Sequence, residues 1–312
     1  MLYAPPMLEI TLQPGPDDLI TDVAGISVGQ AEDEDAATGV TVVLPRAPVV
    51  MGVDVRGGAP GTRETDALDP TCLVEDFHGL VLAGGSVFGL AAADAVVNWL
   101  SEKNIGLKLG PRAIPVVPAA ILYDLANGGD KDWGDAPPYG RLARQACENA
   151  GKNFSLGPYG AGRGATAGGK RGGIGSASYV TEDGLMVGAL VAVNSFGEVN
   201  SAFGRTDVIR FPKAGLIGAN TSIGLVATNM KLTKAGARRL AIMAHDGLAR
   251  AIRPLHTPFD GDSIFAMATG TWEGGESAAQ QIALAGAMAA NCIERAVGKA
   301  VNAANHDGPA GS

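Results

Sequence analysis

The stretch Asn220-Thr221-Ser222-Ile223-Gly224-Leu225-Val226-Ala227-Thr228-Asn229 sets a hydroxyl at the seam between a Gly/Ala-rich loop and an apolar run. The run Ile223 to Thr228 has the composition of a buried strand. A chain cut just before Thr221 would expose an amino-terminal threonine, which is nucleophile and base in one residue. An α-amine has an unperturbed pKa of about 7.7 to 8.0, so near neutral pH a useful fraction can accept the hydroxyl proton. A threonine at a strand start is also an ordinary β-former, and spacing alone leaves both readings open.

Working outward, similar runs recur between glycine turns: Gly39 to Leu44, Val50 to Val55, Leu80 to Ala83, Ile174 to Val180, Met186 to Val193 and Ile264 to Thr269. Several are apolar without alternation, as in strands covered on both faces. Helical patterns interleave with them. Phe88 to Lys103 and Tyr139 to Ala150 are two, and Thr233 is placed to N-cap a third that runs to about Ile252 and stops before Pro254. Ser277 to Asn305 is an Ala-rich helix, or two. Alternation without a fixed repeat predicts a layered α/β architecture rather than a solenoid. Asp124 to Pro138 reads as a long surface loop, Asn305 to Ser312 as a loose tail, and Phe211 to Asn220 as the loop where scission would separate two halves.

At 312 residues the chain can bury a large core. The 45 glycines and 5% aromatic content favour tight turns over an aromatic-lined groove. A formal charge of −8 argues against a nucleic-acid partner, since phosphate binding needs a basic footprint. Gly79 to Ala93 is too short and too interrupted to span a bilayer, and Met1 to Pro16 lacks the basic and apolar regions of a signal peptide. Cys72, Cys147 and Cys292 are odd in number and far apart, so neither a disulfide framework nor a zinc site is indicated and a cytoplasmic setting is expected.

Two near-motifs do not complete. Gly164-Ala165-Thr166-Ala167-Gly168-Gly169-Lys170-Arg171 approaches a phosphate loop, but Arg171 stands where a Ser/Thr hydroxyl would hold magnesium. Gly84-Gly85-Ser86-Val87-Phe88 approaches a nucleophile elbow, but Phe88 replaces the second glycine, which leaves Ser86 as a helix N-cap. The four histidines, His78, His245, His256 and His306, show no metal-ligand spacing, and no metal or cofactor is expected. His256 precedes Asp260-Gly261-Asp262, a carboxylate pair that either orients a nearby nucleophile or makes a plain Asp-Gly turn. Asn194, at the end of an apolar strand, either donates to a developing oxyanion or starts the turn that follows. Tyr123 and Lys170 complete the candidates for a pocket.

Taken in order, these segments resemble the self-processing L-aminopeptidase/D-esterases, β-peptidyl aminopeptidases and nylon-oligomer (6-aminohexanoate oligomer) hydrolases. The resemblance covers Ile20 to Ile26, Arg56 to Asp66, Gly84 to Leu90, Gly172 to Ser178, and Asn220-Thr221 through His256 to Asp262. It implies an α/β/β/α sandwich of the aminopeptidase/ornithine-acetyltransferase type. It further implies one catalytic domain over 1–312, cut between Asn220 and Thr221 into fragments 1–220 and 221–312. On it, Thr221 is the nucleophile, Asn194 the oxyanion donor, Tyr123 a pocket residue, and Asp260 and Asp262 the acidic partners of Thr221. A family lysine after a similar glycine run aligns at Gly169, one residue before Lys170. The expected substrates are short peptides, amino-acid amides or 6-aminohexanoate oligomers, and the expected assembly is a homo-oligomer, often a tetramer of processed pairs. Acyl transfer to an amine and an uncut, non-catalytic binding protein are the competing readings.

Overall fold

The computed structural model describes residues 9–199, 220–274 and 278–306. Its main strands in chain order are β1 (Ile26–Asp33), β2 (Thr38–Pro45), β3 (Val50–Val55), β4 (Leu80–Ala83), β5 (Ala119–Ile121), β6 (Gly173–Val180), β7 (Met186–Val193), β8 (Ile223–Met230) and β9 (Ser263–Trp272). The helices are α1 (Ala92–Glu102), α2 (Tyr139–Glu148), α3 (Lys234–Ala251) and α4 (Ala278–His306). One sheet runs Gln13–Pro14, β6, β7, β8, β9, β3, and the other runs β1, β2, β4, β5, Thr62–Arg63. In the first sheet β8 and β9 are parallel and the other pairs antiparallel.

Side chains alternate across each strand, and this parity makes the layers. On β8, Ile223, Leu225 and Ala227 point between the sheets, where they meet Val28, Val43, Leu80 and Leu82 of the second sheet. Val226 points the other way, into a core with Leu240, Ala244 and Leu248 of α3 and Ala289, Ile293 and Ala296 of α4. A third core packs Val40, Val42 and Val81 against Val96 and Leu100 of α1 and Leu142 and Ala146 of α2. The order is therefore α3/α4, first sheet, second sheet, α1/α2, the α/β/β/α sandwich that the family resemblance implies. Both sheets are covered on both faces, which explains why their strands read as unbroken apolar runs.

Close approach of helix to sheet sets the residue types. A Cβ on Gly175 of β6 would lie 1.8 Å from the Ala296 carbonyl oxygen of α4, so only glycine fits there. α4 is one helix of 29 residues, and its small residues Ala285, Ala289, Cys292, Ala296, Ala300 and Ala304 are buried. Cys147 and Cys292 pack as small hydrophobes, and burial pushes each thiol up to about 12. Cys72 is exposed, and all three cysteines are free.

Several expectations need correction. Ser86 is not an N-cap: it has φ +52° and makes no capping hydrogen bond, while Gly85 occupies the cap position in a left-handed conformation. The segment expected to be helical from Phe88 begins as a 3-10 turn over Ser86–Ala91 and becomes α-helical only at Ala92. The loop beginning at Asp124 is not wholly superficial, because Asp124 itself is buried. Thr233 does cap α3, its Oγ1 accepting from the Gly236 amide at 3.2 Å. Strands β1 and β5 lack the unbroken apolar run that marks the others, because β1 carries Gln30, Glu32 and Asp33 and β5 is three residues long. Of the expected scission loop only Asn220 lies within the described residues; Phe211 to 219, Ser277 and the tail from 307 lie outside them. Among the described residues no helix is long and apolar enough to cross a membrane.

Candidate active site

The topology of the first sheet brings the candidate residues together. β7 runs antiparallel to β8, so the residue after β7, Asn194, arrives beside Thr221, two residues before β8. β9 runs parallel to β8, so the residues before β9, Asp260 and Asp262, arrive at the same end. β3 is antiparallel to β9, and the chain leaving it passes over the same spot. Arg56 and Gly57 donate their amides to the Asp262 carbonyl at 2.9 and 3.2 Å, and Ala59 donates to the Asp260 carbonyl at 2.8 Å. A Cβ on Gly57 would lie 2.3 Å from the Asp262 nitrogen, which accounts for the glycine in this strap.

Thr221 lies at the centre, 2% exposed. Its Oγ1 donates to the Asn220 carbonyl oxygen at 2.5 Å, and its amide donates to the Asn194 carbonyl at 2.5 Å. The Asn220 carbonyl also accepts from the Gly261 amide at 2.9 Å. The peptide bond before Thr221 is thus gripped on three sides: a hydroxyl and a main-chain N–H on its oxygen, and a carbonyl on its nitrogen. Such an arrangement places a hydroxyl beside a carbonyl that has a second donor already in place for developing negative charge.

The two aspartates are buried; Asp262 holds the backbone just after this bond, and Asp260 holds the neighbouring Thr257 and Phe196 segments. Asp262 Oδ1 accepts from the Ser222 amide at 2.7 Å, and its Oδ2 faces His256 Nδ1 at 2.8 Å. Asp260 Oδ2 accepts from the Thr257 hydroxyl at 2.6 Å and amide at 2.8 Å, and its Oδ1 accepts from the Phe196 amide at 3.3 Å. Burial and then the neighbouring Asp262 charge raise the Asp260 carboxyl above its ordinary value. Neither carboxylate hydrogen-bonds the Thr221 hydroxyl; both act on adjoining backbone.

Asn194 is buried between layers. Its Nδ2 donates to the Tyr123 carbonyl at 3.0 Å and its Oδ1 accepts from the Thr166 amide at 2.8 Å. Tyr123, half-buried just past β5, therefore reaches the cluster through its main chain. Thr166 belongs to a hairpin, Thr166–Ala167 paired with Lys170–Arg171, which turns on Gly168 and Gly169 at positive φ. The glycine run that approaches a phosphate loop is thus a tight turn. Lys170 is exposed on it, and among the described residues no hydrogen bond joins Lys170 to Thr221, Asn194 or the aspartates. The structure unites Asn220, Thr221, Asn194, Asp260, Asp262 and the Tyr123 carbonyl, and leaves Lys170 at the margin.

Three contributors escaped the sequence reading. The Gly261 amide is one; a main-chain group between two aspartates has no letter of its own. Ser222 is the second, fully buried with its Oγ lacking a hydrogen-bond partner. His245 is the third: edge-on to His256 at 4.8 Å, it bonds the Asp54 carbonyl through Nε2 at 3.0 Å. Among the described residues no cluster of three or more His, Cys, Asp or Glu side chains is arranged to hold a metal ion.

The sequence pattern of Peptidase family S58 matches residues 18–311. A Mycobacterium tuberculosis protein described as an uncharacterized aminopeptidase is 44% identical over 89% of this chain and 92% of its own. The 6-aminohexanoate-oligomer endohydrolase of a Kocuria species is 30% identical over 82% of this chain and 76% of its own. Among solved structures, the L-aminopeptidase D-Ala-esterase/amidase of Ochrobactrum anthropi, described as a variant of the Ntn hydrolase fold, superposes with a TM-score of 0.75 at 25% identity over 95% of this chain and 89% of its own. A Burkholderia β-aminopeptidase shares the fold, with a TM-score of 0.73 at 24% identity over 93% of this chain and 88% of its own.

Proposed function

Because the chain belongs to peptidase family S58 and is a hydrolase of amide bonds, we propose that it matures by cutting itself before Thr221 and then works through the freed threonine. The observation that carries this reading is the Asn220 carbonyl, held at 2.5 Å by the Thr221 hydroxyl and at 2.9 Å by the Gly261 amide. In the first act Thr221 Oγ1 attacks the Asn220 carbonyl carbon. The C–N bond breaks, the hydroxyl proton ends on the departing nitrogen, and an ester joins Asn220 to Thr221. Water then cleaves the ester, leaving fragments 1–220 and 221–312.

The second act uses the same atoms on an incoming substrate. Thr221 Oγ1 attacks the scissile carbonyl while its new α-amine takes the proton and returns it to the leaving amine. The Gly261 amide and the Asn194 side chain serve as donors to the oxyanion, Tyr123 borders the substrate, and water clears the acyl-enzyme. Asp260 and Asp262 fix the segments on which the nucleophile rides and offset the charge of its ammonium form. Short peptides with a free amino terminus, amino-acid amides and 6-aminohexanoate oligomers are the substrate classes, as the names of the relatives suggest. The processed pairs assemble as a homo-oligomer.

Intact-mass analysis of purified protein tests the first act: two species are expected, the smaller beginning at Thr221. Full activity from an uncut chain would overturn the scheme. Thr221→Ala is expected to stay whole and to lose activity against amide substrates, whereas robust turnover by that variant would place the nucleophile elsewhere.

A further inference from the structure

Behind the nucleophile, on the helix-facing side of the first sheet, lies a second set of polar groups. Asp262 is fully buried and Asp260 is 1% exposed, with only Gly261 between them. Two carboxylates this close and this dry repel unless a cation or a proton compensates them. Before the cut Thr221 has no ammonium to offer, because its nitrogen is still an amide.

We propose that His256 supplies the counter-charge to the Asp260/Asp262 pair in the uncut chain and so positions the Ser222 side of the bond to be broken. The inference rests on the self-processing reading above. A single carboxylate makes the link: Asp262 Oδ1 holds the Ser222 amide at 2.7 Å, while its Oδ2 takes His256 Nδ1 at 2.8 Å and the His256 amide at 3.2 Å. His256 is the member open to solvent protons, its side chain 22% exposed against 0% for Asp262.

The surrounding groups assign the charge to His256. From α3, His245 meets its ring edge-on, but burial lowers the His245 imidazole to about 4, so that ring stays neutral near pH 7. From the end of β3, Asp54 and Arg56 are paired with each other at 2.5 Å. On its own turn His256 faces Asp262, with Asp260 beyond. His256 adopts φ +55°, a left-handed conformation that asparagine also tolerates. Once the chain is cut, the ammonium of Thr221 forms one residue from the Ser222 amide held by Asp262, and a second cation joins the pair.

His256→Asn separates charge from shape, because its amide can donate as a neutral imidazole does and cannot take up a proton. Freshly synthesised chains are incubated at pH 5.5 and at pH 8.5 and the fraction cut before Thr221 is followed by intact mass. A charge-assisted hydrogen bond is about twice as strong as a neutral one, so His256→Asn should process roughly tenfold more slowly than wild type at pH 5.5. The two should converge to within about twofold at pH 8.5, where protons for an imidazole are a thousandfold scarcer. His256→Ala, which loses the bond as well, should lag at both values. Equal rates for His256→Asn and wild type at both pH values, or an equal lag at both, would overturn the inference. Wild type that is never cut would instead sink the self-processing reading. Thermal unfolding of each variant in the uncut Thr221→Ala background verifies folding, and His256→Gln replaces His256→Asn in the same assay should the latter not fold.

Discussion

Among the described residues carboxylates are buried in two places, and their contrast is instructive. Between the second sheet and α2, Asp124 accepts from the Thr38 hydroxyl at 2.6 Å and the Gly85 amide at 2.7 Å, with the Tyr139 hydroxyl 3.4 Å from Thr38. At the end of the first sheet, Asp260 and Asp262 accept from Thr257, Phe196, Ser222 and His256. Burial raises the carboxyl of Asp124 as it raises that of Asp260. A perturbed acid alone therefore does not single out a reactive site. What differs is the company. The bonds of Asp124 close on a turn and a helix start, whereas those of the aspartate pair end on the two segments that grip a hydroxyl and the peptide bond beside it. One cluster is a staple, and the other holds in place the bond that we propose is cut.

Asn194 touches both regions, since its amide holds the carbonyl of Tyr123, the neighbour of Asp124. Asn194→Ala should therefore produce the largest drop, about 10² to 10³ in kcat, the usual cost of removing an oxyanion donor. Steady-state turnover of the processed variant measures it, and a change below threefold would reduce Asn194 to a strut like Asp124. Asp124→Ala should do the reverse. Leaving the Gly85 amide and Thr38 hydroxyl without their acceptor should cost about 2 to 4 kcal/mol in denaturant unfolding of the uncut chain. The folded variant should still be cut before Thr221, and loss of cutting without loss of stability would erase the distinction.

The smallest expected effect concerns pH. The folded imidazole of His245 titrates near 4 and an unfolded one near 6.5, so the unfolded chain binds the proton first as pH falls. Stability from this group is complete above about pH 6.5 and is lost progressively toward pH 4, by up to about 3 kcal/mol. Denaturant midpoints of uncut Thr221→Ala across that window should fall, and His245→Leu should lessen the slope. An unchanged slope would remove His245 from the polar layer behind the aspartates.

Much of the architecture was legible because burial on two faces forces long apolar runs. β3, β4 and β7 begin and end where composition places them, and Thr233 marks the start of α3. β1 was hidden by its charged residues, and Ser86 misled because a glycine-rich turn, rather than a hydroxyl cap, begins the helical segment after β4. In the site, Asn194, Asn220, Thr221, Asp260 and Asp262 could be named from their places at strand ends and from ordered resemblance to known hydrolases.

By itself the sequence determined the alternation of strands and helices, the Asn220-Thr221 junction and the family to which the chain belongs, because periodicity and ordered motifs are local properties of a string. Tertiary structure decided the rest. The parallel pairing of β8 with β9 puts Gly261 on the Asn220 carbonyl, and Asp262 meets His256 of the preceding loop, whose ring packs against His245 of α3. Contacts between residues tens of positions apart depend on strand order and register, which no single stretch of sequence carries.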